Sequence, residues 1–217
     1  MKSKAVLFDL DGTLVNTAPD LTSAVNHVLN HHHKPSTGIE KIRPFISLGT
    51  IAILAEALGL ERDDPRLPQL RQELFNAYQP ILAKDSHLYS GLDTLLAKLK
   101  QAGIPWGIVT NKPAWLAKQI VEQLHLKKDC AVLIGAESAG ISKPNPGGLL
   151  LAARHLHLAP QKITYVGDCA NDMLAAKNAQ MRAVAVTWGY YLPDSPPESW
   201  GADVICETAE ELMLELI

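Results

Sequence analysis

Two aspartates, Asp9 and Asp11, close the run Ala5-Val6-Leu7-Phe8-Asp9-Leu10-Asp11-Gly12-Thr13-Leu14. Carboxylates at this spacing can bind a hard cation, divide acid and base work, or cap a helix. Capping explains Asp11 beside Thr13 but leaves Asp9 idle. A carboxylate that ends an apolar strand costs stability unless charge or hydrogen bonds compensate it, which favours chemistry over a purely structural role. In open α/β sheets the ligand crevice lies beyond the carboxyl ends of the strands, so both side chains are expected there.

Three later stretches supply complementary groups. Thr110-Asn111-Lys112 follows an apolar run and offers a hydroxyl and an amide to phosphate oxygens. Gly140-Ile141-Ser142-Lys143-Pro144 sets a lysine just before a helix, with Pro144 restricting its backbone. Gly167-Asp168-Cys169-Ala170-Asn171-Asp172 adds two more carboxylates. Four acids meeting one lysine cannot all stay ionised without a cation, because close like charges raise one another's pKa. Magnesium, an ion that takes carboxylate, phosphate and water oxygens, is the expected cofactor.

Other chemistries lack their residues. Gly135 to Gly140 has the glycine spacing of a phosphate-binding loop, but Ile141 stands where lysine should follow, and no GxGxxG follows a strand. This argues against an NTPase or a dinucleotide enzyme. His31, His32 and His33 are consecutive at a helix end, so they point in different directions and make a poor metal set. Cys130, Cys169 and Cys206 are odd in number and without CxxC spacing, as expected of a reducing compartment. Cys169 lies within the Asp168–Asp172 stretch.

The elements that must position these groups can be read from periodicity. The unbroken apolar run Ala5–Phe8 suits a central strand of a parallel sheet covered on both faces. Leu21, Ala24, Val25, Val28 and Leu29 recur at helical spacing after Asp20, a first-turn or capping residue. Residues 39–60 read as helix broken at Ser47-Leu48-Gly49, and a further helix starts at Asp63-Asp64-Pro65, so residues 16–85 are expected to be helical throughout. Strands then follow at 104–109, 132–134, 163–166, 183–187 and 204–205, separated by helical runs near 113–126, 147–157 and 172–180. The fold class is therefore α/β, a doubly wound parallel sheet with a helical insert. Residues 1–15 and 86–217 form the expected core and 16–85 the expected cap over its strand ends.

With 217 residues, 47% hydrophobic and 20% charged, the chain can bury a full core. A net charge of −3 without a basic stripe gives nucleic acid no electrostatic footprint. No apolar run approaches the ~20 residues of a bilayer span, and Met1-Lys2-Ser3-Lys4 leads straight into a strand without a signal-peptide core. The expectation is a cytoplasmic protein, monomer or homodimer, with neither nucleic-acid nor membrane partners.

With these residues quoted, the chain resembles the phosphatases of the haloacid dehalogenase superfamily that carry a helical C1-type cap. Asp9-Leu10-Asp11-Gly12-Thr13-Leu14, Thr110-Asn111-Lys112, Lys143-Pro144, and Gly167-Asp168 with Asp172 match its four motifs in order, across nearly the whole chain. The resemblance implies that Asp9 is the nucleophile, passing through an aspartyl-phosphate, and that Asp11 is the acid and base. It implies that Thr110 and Lys143 hold the phosphoryl oxygens, Lys143 also orienting Asp9. Magnesium would take the Asp9 carboxylate, the Asp11 backbone carbonyl and Asp168, with Asp172 acting through water.

Within the superfamily the chain is similar to phosphoglycolate phosphatases, through Thr110-Asn111-Lys112-Pro113 and the cap layout. It also resembles N-acetylmuramic acid 6-phosphate phosphatases, through Trp106-Gly107 and Ser199-Trp200-Gly201-Ala202-Asp203-Val204. The expected substrate is a small phosphorylated metabolite, 2-phosphoglycolate first and the amino-sugar phosphate second. A phosphosugar mutase and a non-catalytic phosphate sensor are further alternatives, the intact Asp9 and Asp11 arguing against the sensor. Asn16, where Asp is frequent, and Asn145-Pro146-Gly147-Gly148 depart from the usual pattern without removing a catalytic group. Substrate contacts are expected from Asn111 and, in the cap, from Ser47, Gly49 and Arg43, whose guanidinium suits a carboxylate.

Overall fold

A computed structural model describes residues 3–138 and 142–217. Met1, Lys2, and Gly140 and Ile141 of the lysine stretch lie outside the described residues. In chain order the strands are β1 (Ala5–Phe8), β2 (Val15–Asn16), β3 (His87–Leu88), β4 (Trp106–Val109), β5 (Cys130–Ile134), β6 (Ile163–Gly167), β7 (Arg182–Val186) and β8 (Val204–Cys206). The helices are α1 (Ala18–His31), α2 (Ile39–Ile42), α3 (Thr50–Leu58), α4 (Leu67–Tyr78), α5 (Leu92–Gln101), α6 (Ala114–Gln123), α7 (Gly147–His155), α8 (Ala170–Asn178) and α9 (Ala209–Leu216).

Six strands form one parallel sheet in the order β5-β4-β1-β6-β7-β8. The strand order reverses at β1, which pairs with β4 on one side and β6 on the other, so the carboxyl end of β1 opens onto the switch-point crevice. Successive side chains of β1 serve opposite faces. Val6 and Phe8 join a core with α5, α6 and α9, and Ala5 and Leu7 a core with α7 and α8. The unalternating apolar run of β1 is thus accounted for by helices on both faces.

The segment expected to be helical throughout is not. Val15–Asn16 pairs antiparallel with His87–Leu88, a short ribbon at the two ends of the helical stretch. The Arg43–Leu48 run is a 3₁₀ helix, and Gly49 leaves it with φ of 89° before α3 begins. Glycine suits that turn because it carries no Cβ to clash at positive φ. Asp20, in the first turn of α1, is buried and accepts from the Asp85 and Ser86 amides at 3.0 Å each and from the Ser86 hydroxyl at 2.5 Å. It therefore fastens the start of α1 to the stretch leading into β3. Tyr190 grips the same region from the other half of the chain. Its hydroxyl accepts from the Thr17 and Ala18 amides and donates to Asn16 Oδ1 at 2.7 Å. Asn16 thus serves locally as an acceptor for Tyr190.

The two segments that carry the likeness to the amino-sugar enzymes are structural here. Trp106 is buried in β4 against Phe8, and Asp203 Oδ2 accepts from the Ala183 amide. No helix of the described residues is long and apolar enough to cross a membrane.

Candidate active site

Asp9 follows β1, Thr110 follows β4 and Asp168 follows β6, so three adjacent parallel strands deliver their first polar residues to one edge. Lys143 reaches the same point from the loop before α7. Its Nζ lies 2.9 Å from Asp9 Oδ1 and 2.6 Å from Asp172 Oδ1, and it donates to the Tyr165 hydroxyl at 2.8 Å. Burial alone would lower the pKa of this ammonium, but Asp172 and Asp9 overcome that and raise it, so Lys143 is a fixed cation.

The acids respond in the opposite sense. Burial pushes the Asp9 carboxyl up from 3.8 to about 6, with Lys143 opposing and Asp172 adding to the rise. Burial, then Asp172 and Asp9, raise Asp168 as well. Asp9 Oδ1 is buried and, although close to Lys143, receives no properly aligned hydrogen bond. Asp9, Asp168 and Asp172 can each offer one oxygen with all three within 4.8 Å of one another. Three buried carboxylates with oxygens this close together, one of them without an aligned hydrogen bond, suit a hard metal ion, and the residues fit one. No other such group of acids, histidines and cysteines occurs among the described residues. His32 instead pairs with Glu73 at 2.7 Å.

The remaining predicted residues divide. Asp11 Oδ1 takes the Lys112 ammonium at 2.9 Å and the Thr17 hydroxyl at 2.5 Å. Thr110 Oγ1 accepts the Lys112 amide at 3.2 Å, leaving its own proton for a ligand oxygen. Asn111 spends both polar ends on the Lys143 backbone, accepting its N–H at 2.8 Å and donating to its carbonyl at 3.1 Å. It positions the lysine. Asp172 accepts the Asp168 and Cys169 amides on Oδ2, which caps α8 and leaves it behind the reactive edge. Cys169 Sγ lies 3.2 Å from that same oxygen.

A cavity of about 330 Å³ opens in front of Asp9 and Asp11. Ser47, Gly49, Thr110, Asn111 and Lys143 line it as expected. Ser47 also donates to Asp168 Oδ2 at 3.1 Å, so the 3₁₀ stretch touches the acid cluster directly. Arg43 is elsewhere. Its guanidinium donates to the Trp188 carbonyl at 3.0 Å and lies over the Tyr190 ring, outside the cavity wall. The structure thus separates Arg43 from the other candidates, because the loop after β7 holds its guanidinium through the Trp188 carbonyl.

Sequence reasoning missed Lys112, Arg71 and Tyr78, which all line the cavity. Lys112 belonged to the recognised motif but had no role. Arg71 and Tyr78 share one face of α4 with Leu74 and Phe75, a spacing of three, four and seven residues that was legible. Glycines make room behind the cluster. A Cβ on Gly189 would stand 2.2 Å from Asp168 Cβ, closer than packing allows.

Comparisons with known proteins agree with this geometry. The haloacid dehalogenase-like hydrolase family model matches residues 6–186. A phosphoglycolate phosphatase of Xanthomonas campestris is 43% identical over 209 residues, 96% of this chain and 94% of that one. An N-acetylmuramic acid 6-phosphate phosphatase of Pseudomonas aeruginosa is 38% identical over 213 residues, 98% of this chain and 94% of that one. Among solved structures, one described as a predicted phosphoglycolate phosphatase from Haemophilus somnus superposes with a TM-score of 0.86 at 26% identity, covering 99% of this chain and 98% of that one.

Proposed function

The chain belongs to the haloacid dehalogenase-like hydrolases, and from that footing we propose that it is a magnesium-dependent phosphomonoesterase working through an aspartyl-phosphate. The observation that carries the reading is the Asp9 carboxylate, held 2.9 Å from Lys143 at the floor of the cavity with one oxygen free of hydrogen bonds. A carboxylate oxygen of Asp9 attacks phosphorus and the ester P–O bond breaks. Asp11 gives its proton to the departing alkoxide. In the second step Asp11 takes a proton from water, whose oxygen attacks phosphorus, and Asp9 leaves as carboxylate with inorganic phosphate released. Lys112 orients Asp11, while Lys143 and the Thr110 hydroxyl neutralise and bind the phosphoryl oxygens. Asp9 and Asp168, with Asp172 behind them, would hold magnesium, which would supply further charge neutralisation for those oxygens.

The residues from α1 to α4 act as the cap over this edge, which supports placing leaving-group selectivity there. Likeness to the Xanthomonas protein at 43% identity makes 2-phosphoglycolate the first substrate to test. One observation favours the amino-sugar phosphate as a second reading. The cavity reaches the ~300–1,000 Å³ range of sites for much larger ligands, and Leu21, Leu74, Phe75, Tyr78 and Leu116 make much of its wall apolar. Three free cysteines support a cytoplasmic setting.

The test is phosphate release from p-nitrophenyl phosphate, 2-phosphoglycolate and N-acetylmuramic acid 6-phosphate, with and without Mg²⁺. Magnesium-dependent release from at least one is expected. No release from any of the three with the metal present would overturn the assignment.

A further inference from the structure

Three cations line the cavity, Lys143, Lys112 and Arg71. Lys143 is committed to Asp9 and Asp172, and Lys112 to Asp11. Arg71 pairs with no carboxylate among the described residues. Its guanidinium lies over the Phe75 ring, 5.1 Å from the centroid, and that ring is held edge-on by Trp115 of α6 at 6.0 Å. The perch is therefore fixed against the rest of the wall, with the charge still available to a ligand.

Position along α4 adds a length. Tyr78 touches Lys112 at 3.3 Å and so marks the end of α4 beside Asp11. Arg71 lies seven residues earlier on the same face, roughly 10 Å along the helix axis at ~1.5 Å per residue. Both side chains lean toward the helix N-terminus, so the offset between them persists. Leu74 and Phe75 fill the interval with apolar and aromatic surface. A ligand whose phosphoryl group lies on Asp9 would meet this surface before reaching Arg71.

We propose that Arg71 is a specificity-determining residue, which binds a carboxylate placed far from the phosphate on a ring-sized leaving group seated against Phe75. This deepens the phosphomonoesterase reading and rests on it. A two-carbon phosphoester carries its carboxylate next to the phosphate and falls short of Arg71. A hexose phosphate with an acidic substituent across the ring reaches it. Guanidinium is suited to the task, since it meets a carboxylate with paired hydrogen bonds while stacked on an aromatic face.

The experiment compares wild type, Arg71→Gln and Arg71→Lys, all with Mg²⁺, on four phosphoesters. They are N-acetylmuramic acid 6-phosphate, N-acetylglucosamine 6-phosphate (the same ring without the acid), 2-phosphoglycolate and p-nitrophenyl phosphate. Arg71 is exposed and outside the apolar core, so the variants should fold. Arg71→Gln should lower kcat/KM on the acidic sugar phosphate by about 10- to 100-fold, mostly in KM, and leave the other three within about 2-fold. Arg71→Lys should recover part of the loss. An equal fall on all four substrates, or no fall on the acidic sugar, overturns the proposal. Binding of N-acetylmuramic acid 6-phosphate to Asp9→Asn protein, with and without Arg71→Gln, reads the same contact without turnover. Arg71-dependent binding by Asp9→Asn protein, with wild type releasing phosphate from none of the four esters, would keep the contact but overturn the phosphatase reading on which its part in specificity rests.

Discussion

Lys112 Nζ lies 2.9 Å from Asp11 Oδ1, an ion pair shielded from solvent between β4 and the loop after β1. The Tyr78 hydroxyl, 3.3 Å away on α4, completes the ammonium's surroundings. Burial alone would lower the lysine's pKa, but Asp11 and Tyr78 together outweigh burial and raise it. In the proposed mechanism the pair fixes the carboxylate that gives and takes a proton. Lys112→Gln is expected to lower kcat on p-nitrophenyl phosphate by about 10- to 100-fold with little change in KM, and Tyr78→Phe by a few fold. Unchanged kcat in Lys112→Gln would show that Asp11 is positioned without the lysine.

Asp9→Asn keeps the shape of the side chain and removes the proposed nucleophile. Turnover should fall by on the order of 10³-fold or more, with circular dichroism unchanged. Beryllofluoride, which mimics a carboxyl-bound phosphoryl group, should protect wild type against thermal unfolding and leave the variant unaffected. Equal protection of both proteins would mean that the ligand does not bind through Asp9.

The raised Asp9 pKa makes a prediction about stability and pH in the metal-free protein. Because burial lifts the folded value from 3.8 to about 6, the folded state holds a proton in that window which the unfolded state releases. The stability from this group is full below 3.8 and is lost as pH rises through about 6. After chelation, the Tm of wild type should decline more across that window than the Tm of Asp9→Asn. Adding Mg²⁺ should raise Tm more at about pH 7 than at about pH 5, since metal and protons compete for the same carboxylates. An increment independent of pH would place the ion elsewhere.

Asp20 makes a contrasting, structural prediction. Three donors converge on its buried carboxylate, so Asp20→Ala leaves the Asp85 and Ser86 amides without their acceptor. The expected cost is about 3 kcal/mol, or a Tm lower by roughly 10 °C. Residual activity per folded molecule should change less than it does in Lys112→Gln. A thermal melt together with p-nitrophenyl phosphate kinetics would separate the two effects.

The reactive edge was legible because each strand that feeds it is a short, mostly apolar or β-branched run that gives way to polar residues, a pattern independent of tertiary detail. Asp9, Thr110 and Asp168 follow from it directly. The β2–β3 ribbon was not legible, since two-residue strands have no period to detect. Arg43 misled because nearness in chain to Ser47 and Gly49 says nothing of side-chain direction, and carbonyls of the unpatterned Trp188-Gly189 loop attract its guanidinium. Asn111 lines the cavity as expected and also holds the Lys143 backbone. Its occupation by the Lys143 backbone depends on a contact across 32 residues that no local pattern encodes.

The central place of β1 has a consequence for how the protein comes into being. Asp9 is synthesised before β4 and β6, the strands that flank β1, and Asp168 is 159 residues later in the chain. At ~5–20 residues per second, roughly ten to thirty seconds of translation separate the two acids. Tyr190, which grips the start of α1, emerges later still. A nascent chain thus carries Asp9 through that interval without its full set of sheet partners and companion acids, and the edge that holds Asp9, Thr110 and Asp168 can close only once β6 has been made.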